Sequence, residues 1–120
     1  MKLMIVDDSN IIRSRIERVY QHDQKMEVVA TASNGRDALQ KATHFMPDLV
    51  TMDLTMPGMD GIQCIKHIEK LDKDIKVLVI SALSDITTGL EAIENGARGF
   101  LCKPFTDEEL VDALNKVMES

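Results

Sequence analysis

Cysteine is scarce in this chain, and long apolar runs are absent from it. The two cysteines, Cys64 and Cys102, fall on a predicted helix and a predicted buried strand, so we expect reduced core thiols rather than a disulfide. No apolar run approaches the roughly 20 residues that cross a bilayer, and the run at the amino terminus is too short for a secretory signal. These absences predict a cytoplasmic protein that does not enter a membrane.

Positive charge is also in short supply. Lys and Arg number 14 against 20 Asp and Glu, which gives a net charge of −6, and the basic residues form no cluster in the sequence. This balance argues against unaided binding to nucleic acid and leaves a basic protein partner open. With 44% hydrophobic and 28% charged residues, and no repeat or linker, the sequence predicts one globular domain over residues 1–120.

Five apolar segments alternate with five segments of helical periodicity. The apolar segments, which we predict to be strands, are residues 2–6, 26–32, 49–52, 76–80 and 100–102. The inward-facing positions of the predicted helices are Ile12, Ile16 and Val19; Ala38, Leu39, Ala42 and Phe45; Ile62, Ile65, Ile68 and Leu71; Ile86, Leu90 and Ile93; and Leu110, Val111, Leu114 and Val117. The fourth helix is predicted over about residues 85–95, after the strand that leads to Ser81. Helix caps are predicted within residues 7–10, at Asp60 with Gln63, and at Thr106 with Glu109.

This order of elements predicts an α/β fold. Because the strands are apolar nearly throughout, we expect helices to cover both faces of the sheet, which is typical of parallel strands. Right-handed crossovers then restrict the topology to a doubly wound (βα)5 arrangement with five parallel strands.

Polar residues follow four of the predicted strands. Asp7 and Asp8 follow the first strand, Asp53 the third, Ser81 the fourth and Lys103 the fifth. Taken singly, the acid pair could be a solvated helix cap, Ser81 a turn residue and Lys103 an ordinary surface lysine. Because the carboxyl ends of parallel strands meet at one edge of a sheet, where ligands bind, the set together predicts a functional site.

The chemistry of this set favours phosphoryl transfer with a metal ion. Three crowded carboxylates repel one another, and a hard divalent cation such as Mg²⁺ relieves the repulsion by accepting oxygen ligands. Asp53 could then act as a nucleophile on phosphorus. Lys103 would add positive charge and Ser81 a hydrogen bond to the transferred group.

The whole set resembles the receiver domain of two-component response regulators, and within that family the stand-alone, chemotaxis-type members. The resemblance covers residues 2–117 and is carried by Asp7-Asp8, Asp53 with Met56-Pro57 and Asp60-Gly61, Ser81-Ala82, and Lys103-Pro104-Phe105. It implies a flavodoxin-like fold with strand order 2-1-3-4-5 and a cis peptide between Lys103 and Pro104.

The resemblance also assigns a role to each matching residue. Asp53 would accept a phosphoryl group from a sensor histidine kinase. Asp8 and Asp53 would bind Mg²⁺ directly, together with the backbone carbonyl of Thr55, while Asp7 would act mostly through water. Lys103 and Ser81 would contact the phosphoryl group, and no other cofactor is implied.

A switch is implied by the same resemblance. Ser81 would move toward the phosphoryl group and Phe100 would rotate inward, although a static core aromatic is an alternative for Phe100. The change would reach a protein target at the face formed by the fourth helix, the fifth strand and the fifth helix.

Phe100 stands where many chemotaxis members have tyrosine, and Leu83 stands where flagellar-switch relatives often have glutamate. We therefore expect slow loss of the phosphoryl group, and these departures argue against the flagellar motor as target. Thr55 also flanks the site and influences this rate in the family.

The sequence thus predicts a phosphorylation-dependent signalling switch, monomeric or dimerising on phosphorylation, that is not a turnover enzyme. Because nothing follows the fifth helix, we expect no DNA-binding or enzymatic output in the chain itself.

The main alternative is a phosphorelay intermediate that passes the phosphoryl group to a histidine phosphotransfer protein. A phosphohydrolase is disfavoured because Thr55 stands where such enzymes need a second acid. A degenerate, binding-only receiver is disfavoured because all five site residues are present, and flavin binding because acids follow the first strand.

Overall fold

Strands and helices alternate along the chain, as predicted. The computed structural model describes residues 1–56, 58–82 and 86–120, without the side chain of Ile86. The elements in order are β1 (Lys2–Val6), α1 (Asn10–Tyr20), β2 (Glu27–Ala32), α2 (Gly35–Phe45), β3 (Leu49–Met52), α3 (Gly61–Leu71), β4 (Lys76–Ser81), α4 (Ile86–Glu94), β5 (Gly99–Cys102) and α5 (Asp107–Glu119). Each predicted strand is present, with boundaries within one residue of the prediction.

All five strands form one parallel sheet in the order β2-β1-β3-β4-β5. This order confirms the doubly wound, flavodoxin-like fold that the resemblance implied. The strand β1 pairs with β3 from Leu3 and Leu49 to Val6 and Met52. Since both strands end at the same level, the residues that follow them, Asp7 and Asp53, emerge side by side.

Apolar side chains cover both faces of the sheet, which confirms the reason given for a parallel arrangement. One face packs against α2, α3 and α4 through Met4, Val6, Val50, Met52, Val77 and Val79. The other face packs against α1 and α5 through Leu3, Ile5, Leu49, Leu78 and Ile80. The edge strands β2 and β5 are mostly half-buried, because each has a neighbouring strand on one side only.

The predicted helix caps are present. The Asp60 carboxylate accepts a hydrogen bond from the Gln63 N–H at 2.9 Å, and the Gln63 side chain accepts one from the Asp60 N–H at 3.4 Å. Thr106 and Glu109 form the same reciprocal pair at the start of α5, at 3.1 and 2.9 Å. The cap of α1 is Ser9, whose hydroxyl accepts from the Ile12 N–H at 3.3 Å. Local sequence therefore sets these helix starts.

The prediction that Leu90 and Ile93 face inward is wrong. These side chains are 57% and 46% exposed, whereas Ala92 is fully buried. Gly89 lies against the ring of Phe100, where an added Cβ would be 3.7 Å from the ring. The small residues of α4 face the sheet because they allow a close approach, and the larger residues are turned outward.

Four other positions predicted to be buried are also exposed. Phe45 and Leu71 are the last residues of α2 and α3, so they extend past the helix that they end. Val111 lies at the side of the α5 stripe that Leu110 fills, because successive helical residues differ by about 100° in direction. Cys102 is exposed because it ends an edge strand, so only Cys64 is a core thiol.

Several predictions concern residues outside the described ranges. They are the motif residue Pro57, the effect of Leu83, the start of the fourth helix at about residue 85, and the inward side chain of Ile86. Over the part of the chain that the structure describes, no helix combines the length and apolarity needed to cross a membrane.

Candidate functional site

Two aspartates lie side by side at the carboxyl edge of the sheet. Asp7 and Asp53 are 2% and 4% exposed, although each follows directly after a strand. The N–H of Asp53 donates to the carbonyl of Val6 at 2.9 Å, and the N–H of Asp7 donates to the carbonyl of Ala32 at 3.1 Å. These bonds extend the sheet ladder by one residue and thereby fix both carboxylates at the rim.

Asp8 completes an acidic cluster. Asp7, Asp8 and Asp53 each offer a carboxylate oxygen, and these oxygens all lie within 4.8 Å of one another. Ligands of an octahedral ion with bonds of about 2.1 Å are separated by about 3.0 to 4.2 Å. Only small movements would therefore bring the three carboxylates to one cation, and their oxygen chemistry suits a hard divalent ion such as Mg²⁺.

Lys103 provides positive charge beside the cluster. Its Nζ lies 2.8 Å from Oδ2 of Asp7 and 3.8 Å from Oδ1 of Asp53. The Lys103 N–H donates to the carbonyl of Ser81 at 2.9 Å, which holds this residue beside the end of β4. The Lys103–Pro104 peptide is cis, as the resemblance implied. The closer partner of Lys103 is Asp7, a pairing that the sequence did not indicate.

The pKa of Asp53 is raised from 3.8 to about 6. Burial is the largest cause, and the negative charge of Asp7 is the next. The ammonium of Lys103 and the Thr55 N–H, which donates to Oδ1 of Asp53 at 3.2 Å, lower this pKa, and a hydrogen bond with Asp8 raises it. The ammonium of Lys103 therefore does not offset the burial of Asp53 and the charge of Asp7, and a bound cation would reduce this repulsion.

The other predicted site residues lie at or near the same edge. Ser81 is fully buried at the end of β4, and Thr55 is exposed in the loop after β3. Phe100 is half-buried on β5 and packs against the core cluster on the face covered by α2, α3 and α4. The structure therefore brings Asp7, Asp8, Asp53 and Lys103 into one site, with Ser81 at its rim, and places Phe100 on β5, three residues before Lys103.

Gly61 fixes the loop that leaves the site. A Cβ at this position would lie 2.3 Å from the carbonyl oxygen of Asp53 and 2.6 Å from Cα of Leu54. The Gly61 N–H donates to the carbonyl of Leu54 at 3.1 Å. Because only glycine permits this approach, the start of α3 rests directly on the backbone of the predicted phosphoacceptor.

Sequence reasoning missed two features next to the site. Arg13 donates to the backbone carbonyl of Asp7 at 2.6 Å, and Thr51 is a buried threonine two residues before Asp53. The position of Arg13 one turn into α1, just after an acid pair, is the only signal in the sequence for its contact. No local signal distinguishes Thr51 from an ordinary strand residue.

Comparison with known proteins supports the resemblance to receiver domains over nearly the whole chain. Residues 3–115 match the family model described as the response regulator receiver domain. The chain is 42% identical over 116 residues to the chemotaxis protein CheY of Thermotoga maritima, covering 97% of this chain and 96% of that protein. It is 38% identical over 117 residues to CheY of Bacillus subtilis, covering 98% and 97%.

A solved structure shows that the likeness extends to the three-dimensional fold. A chain of the CheX–CheY–BeF3–Mg²⁺ complex from Borrelia burgdorferi superposes with a TM-score of 0.89 at 31% identity, covering 99% of this chain and 87% of that one. Fold, acidic cluster and sequence likeness therefore agree, and the chain belongs to the response regulator receiver domain family, as a CheY-like receiver.

Proposed function

We propose that this protein is a signalling switch that accepts a phosphoryl group on Asp53 from the phosphohistidine of a sensor kinase, with Mg²⁺ bound at the acidic cluster. The observation that carries the proposal is the cluster itself. Three carboxylates from two neighbouring strands lie within 4.8 Å of one another, and the Nζ of Lys103 is 3.8 Å from the carboxylate that would react. Membership of a family of phosphorylation-dependent signalling domains supports this reading.

Each residue of the cluster has a separate task in this proposal. An oxygen of Asp53 forms a bond to phosphorus as the bond from phosphorus to the kinase histidine breaks. Asp8, Asp53 and the carbonyl of Thr55 would hold the metal ion, and Asp7 would contribute through water. Bound Mg²⁺ supplies charge neutralisation at the transferred group. Asp7 also holds the ammonium of Lys103, at 2.8 Å, beside the reacting carboxylate.

The phosphoryl group would then be detected by Ser81 and Phe100. A new group with several acceptor oxygens biases the molecule only through contacts that differ between two states. Ser81 would donate to it from the end of β4, and Phe100 would rotate on the adjacent strand β5. Gly89 lies against that ring, so a rotation of Phe100 would change the packing of α4 against β5.

The output would be a change in partner binding at the face of α4, β5 and α5. Leu90, Ile93 and Val111 are exposed apolar residues on these two helices. A protein partner would cover such residues, which are otherwise unfavourable in contact with water. The chain would modify itself and then lose the group without turning over a substrate, so we do not propose an enzyme.

Phosphorylation by a small donor tests the site directly. The protein is incubated with acetyl phosphate and Mg²⁺, and intact mass is measured beside samples treated with a chelator. We expect one phosphoryl adduct with the metal and none after chelation. The Asp53→Asn variant should gain no adduct, because the nucleophilic oxygen is absent.

Asp112→Asn is the matched control, because it removes an exposed carboxylate that pairs with Lys116 on α5. It should be phosphorylated like the wild type. An adduct that persists in Asp53→Asn, or a wild type that gains none, would contradict the proposal.

A further inference from the structure

Helix α1 is hydrogen-bonded through Arg13 to the backbone of the loop that carries Asp7. The Nη1 of Arg13 donates to the carbonyl of Asp7 at 2.6 Å, and its Nη2 donates to the side chain of Asn10. Arg13 is half-buried, and its hydrogen bond to the Asp7 carbonyl is partly shielded from water. Hydrogen bonds that involve a charged group are stronger than neutral ones, so this contact restrains the Asp7 peptide firmly.

The same helix is bonded to the loop that follows Lys103. The Nη2 of Arg15 donates to the carbonyl of Phe105, and its Nε lies 3.3 Å from Oδ1 of Asp107. The guanidinium also lies over the Phe105 ring, 4.6 Å from its centre. Phe105 is 3% exposed, so the arginine is anchored on a fixed part of the core.

These two arginines therefore hold the two loops that carry one buried ion pair. Asp7 and Lys103 are joined at 2.8 Å, with side chains 2% and 19% exposed. Within the described structure neither arginine forms an ion pair with Asp7, whose partner is Lys103. Each contacts a backbone carbonyl at or near one end of the pair.

We propose that Arg13 and Arg15 are positioning residues that fix the Asp7–Lys103 pair and, through Asp7, the shape of the metal site. The part of this inference that concerns Mg²⁺ rests on the proposed function, whereas the placement of the two loops does not. A planar guanidinium makes two directed contacts at once, which an ammonium on a flexible stem cannot reproduce.

A purely electrostatic role would have the opposite sign. Arg13 brings positive charge to the backbone of Asp7, beside the acidic cluster, so its removal would strengthen the binding of a cation if charge alone mattered. If Arg13 acts by position, its removal weakens cation binding, because the Asp7 loop is no longer held. The direction of the change therefore separates the two roles.

The test uses Arg13→Gln, Arg13→Lys and Arg15→Gln, with Arg18→Gln as matched control. Arg18 is exposed on the same helix, its variant loses the same charge, and within the described structure its guanidinium makes no hydrogen bond or ion pair to either loop. The Mg²⁺ dissociation constant is measured by calorimetry. Amide hydrogen exchange is measured without metal at two reporters, the Ser9 N–H that donates to Oδ1 of Asp7 at 2.9 Å and the Lys103 N–H that donates to Ser81.

We expect Arg13→Gln to weaken Mg²⁺ binding about tenfold and to speed exchange at Ser9, as loss of an outer-shell contact does at other metal sites. Arg13→Lys should also weaken Mg²⁺ binding, since it keeps the positive charge and loses the planar guanidinium that makes both contacts. Arg15→Gln should speed exchange at Lys103, and Arg18→Gln should change neither reporter.

Equal or tighter Mg²⁺ binding by Arg13→Gln, or an unchanged Ser9 amide, overturns the inference. If Arg13→Gln does not fold, Arg13→Lys decides by the same two measurements. A wild type that binds no Mg²⁺ or accepts no phosphoryl group would refute the proposed function, while the exchange data would still decide the placement of the loops.

Discussion

Thr51 is a buried strand residue whose hydroxyl does not suit its apolar surroundings. It lies on β3 between Ile5 of β1 and Leu78 of β4, and it is 1% exposed. Its hydroxyl has no hydrogen-bond partner among the residues that the structure describes. A buried hydroxyl without a partner costs about 1–3 kcal/mol relative to its hydrated state. The methyl group and the β-branched shape of Thr51 suit the strand, whereas its hydroxyl does not.

Replacing this hydroxyl should stabilise the protein. Thr51→Val keeps the shape of the side chain and removes the unpaired group, so we expect the free energy of unfolding to rise by about 1 kcal/mol. Urea denaturation at neutral pH measures the change. Thr51→Ser is the control, because it retains the hydroxyl and loses the methyl group, and it should be less stable than the wild type. A loss of stability in Thr51→Val would mean that the hydroxyl is bonded in solution.

At the scale of the element, α4 is the helix whose orientation sequence reasoning assigned wrongly. Its two large apolar residues recur at a spacing of three, which also fits an inward stripe. The structure turns the small residues inward instead, with Ala92 fully buried and Gly89 against Phe100. Periodicity identifies a helix and its amphipathic face, but it does not distinguish a face that packs on the sheet from one left for a partner.

Substitution on α4 should therefore be tolerated where the residue is large. Leu90→Gln is expected to change the free energy of unfolding by no more than about 0.5 kcal/mol, because the side chain is already 57% exposed. Leu110→Ala on α5 is the comparison, since Leu110 is fully buried, and it should cost about 2–5 kcal/mol. Urea denaturation of both variants gives the result. Similar losses in the two would show that Leu90 is packed in solution.

At the scale of the whole molecule, folding concentrates negative charge in a chain that already carries a net charge of −6. The acids that follow β1 and β3 meet at one rim, and burial together with the charge of Asp7 raises the pKa of Asp53 to about 6. A folded-state pKa above the unfolded value of 3.8 means that the protonated carboxyl favours folding. This contribution is complete below about pH 3.8 and is lost as the pH rises through 6.

The ionised carboxylate should therefore destabilise the metal-free protein at neutral pH. We expect Asp53→Asn to be about 2–3 kcal/mol more stable than the wild type at pH 7 and about equal to it near pH 4, from the shift of about two pKa units. Urea unfolding from pH 4 to pH 7.5 with a chelator present measures the difference, and added Mg²⁺ should reduce it at pH 7. Asp74→Asn, an exposed carboxylate, is the control and should show no such trend. A pH-independent difference between Asp53→Asn and the wild type would refute the pKa shift.

The sequence by itself determined the order of elements, the strand boundaries, the helix caps and the set of acids at one edge. These follow from local periodicity and from the rule that parallel strands end together, so they need no knowledge of distant contacts. The strand order came from family resemblance and not from the residues. Only the tertiary structure decided that Lys103 pairs with Asp7, that Arg15 reaches Phe105 across 90 residues of sequence, and that Leu90 faces outward. Each depends on which distant side chains fill the space next to it, and local periodicity carries no information about that.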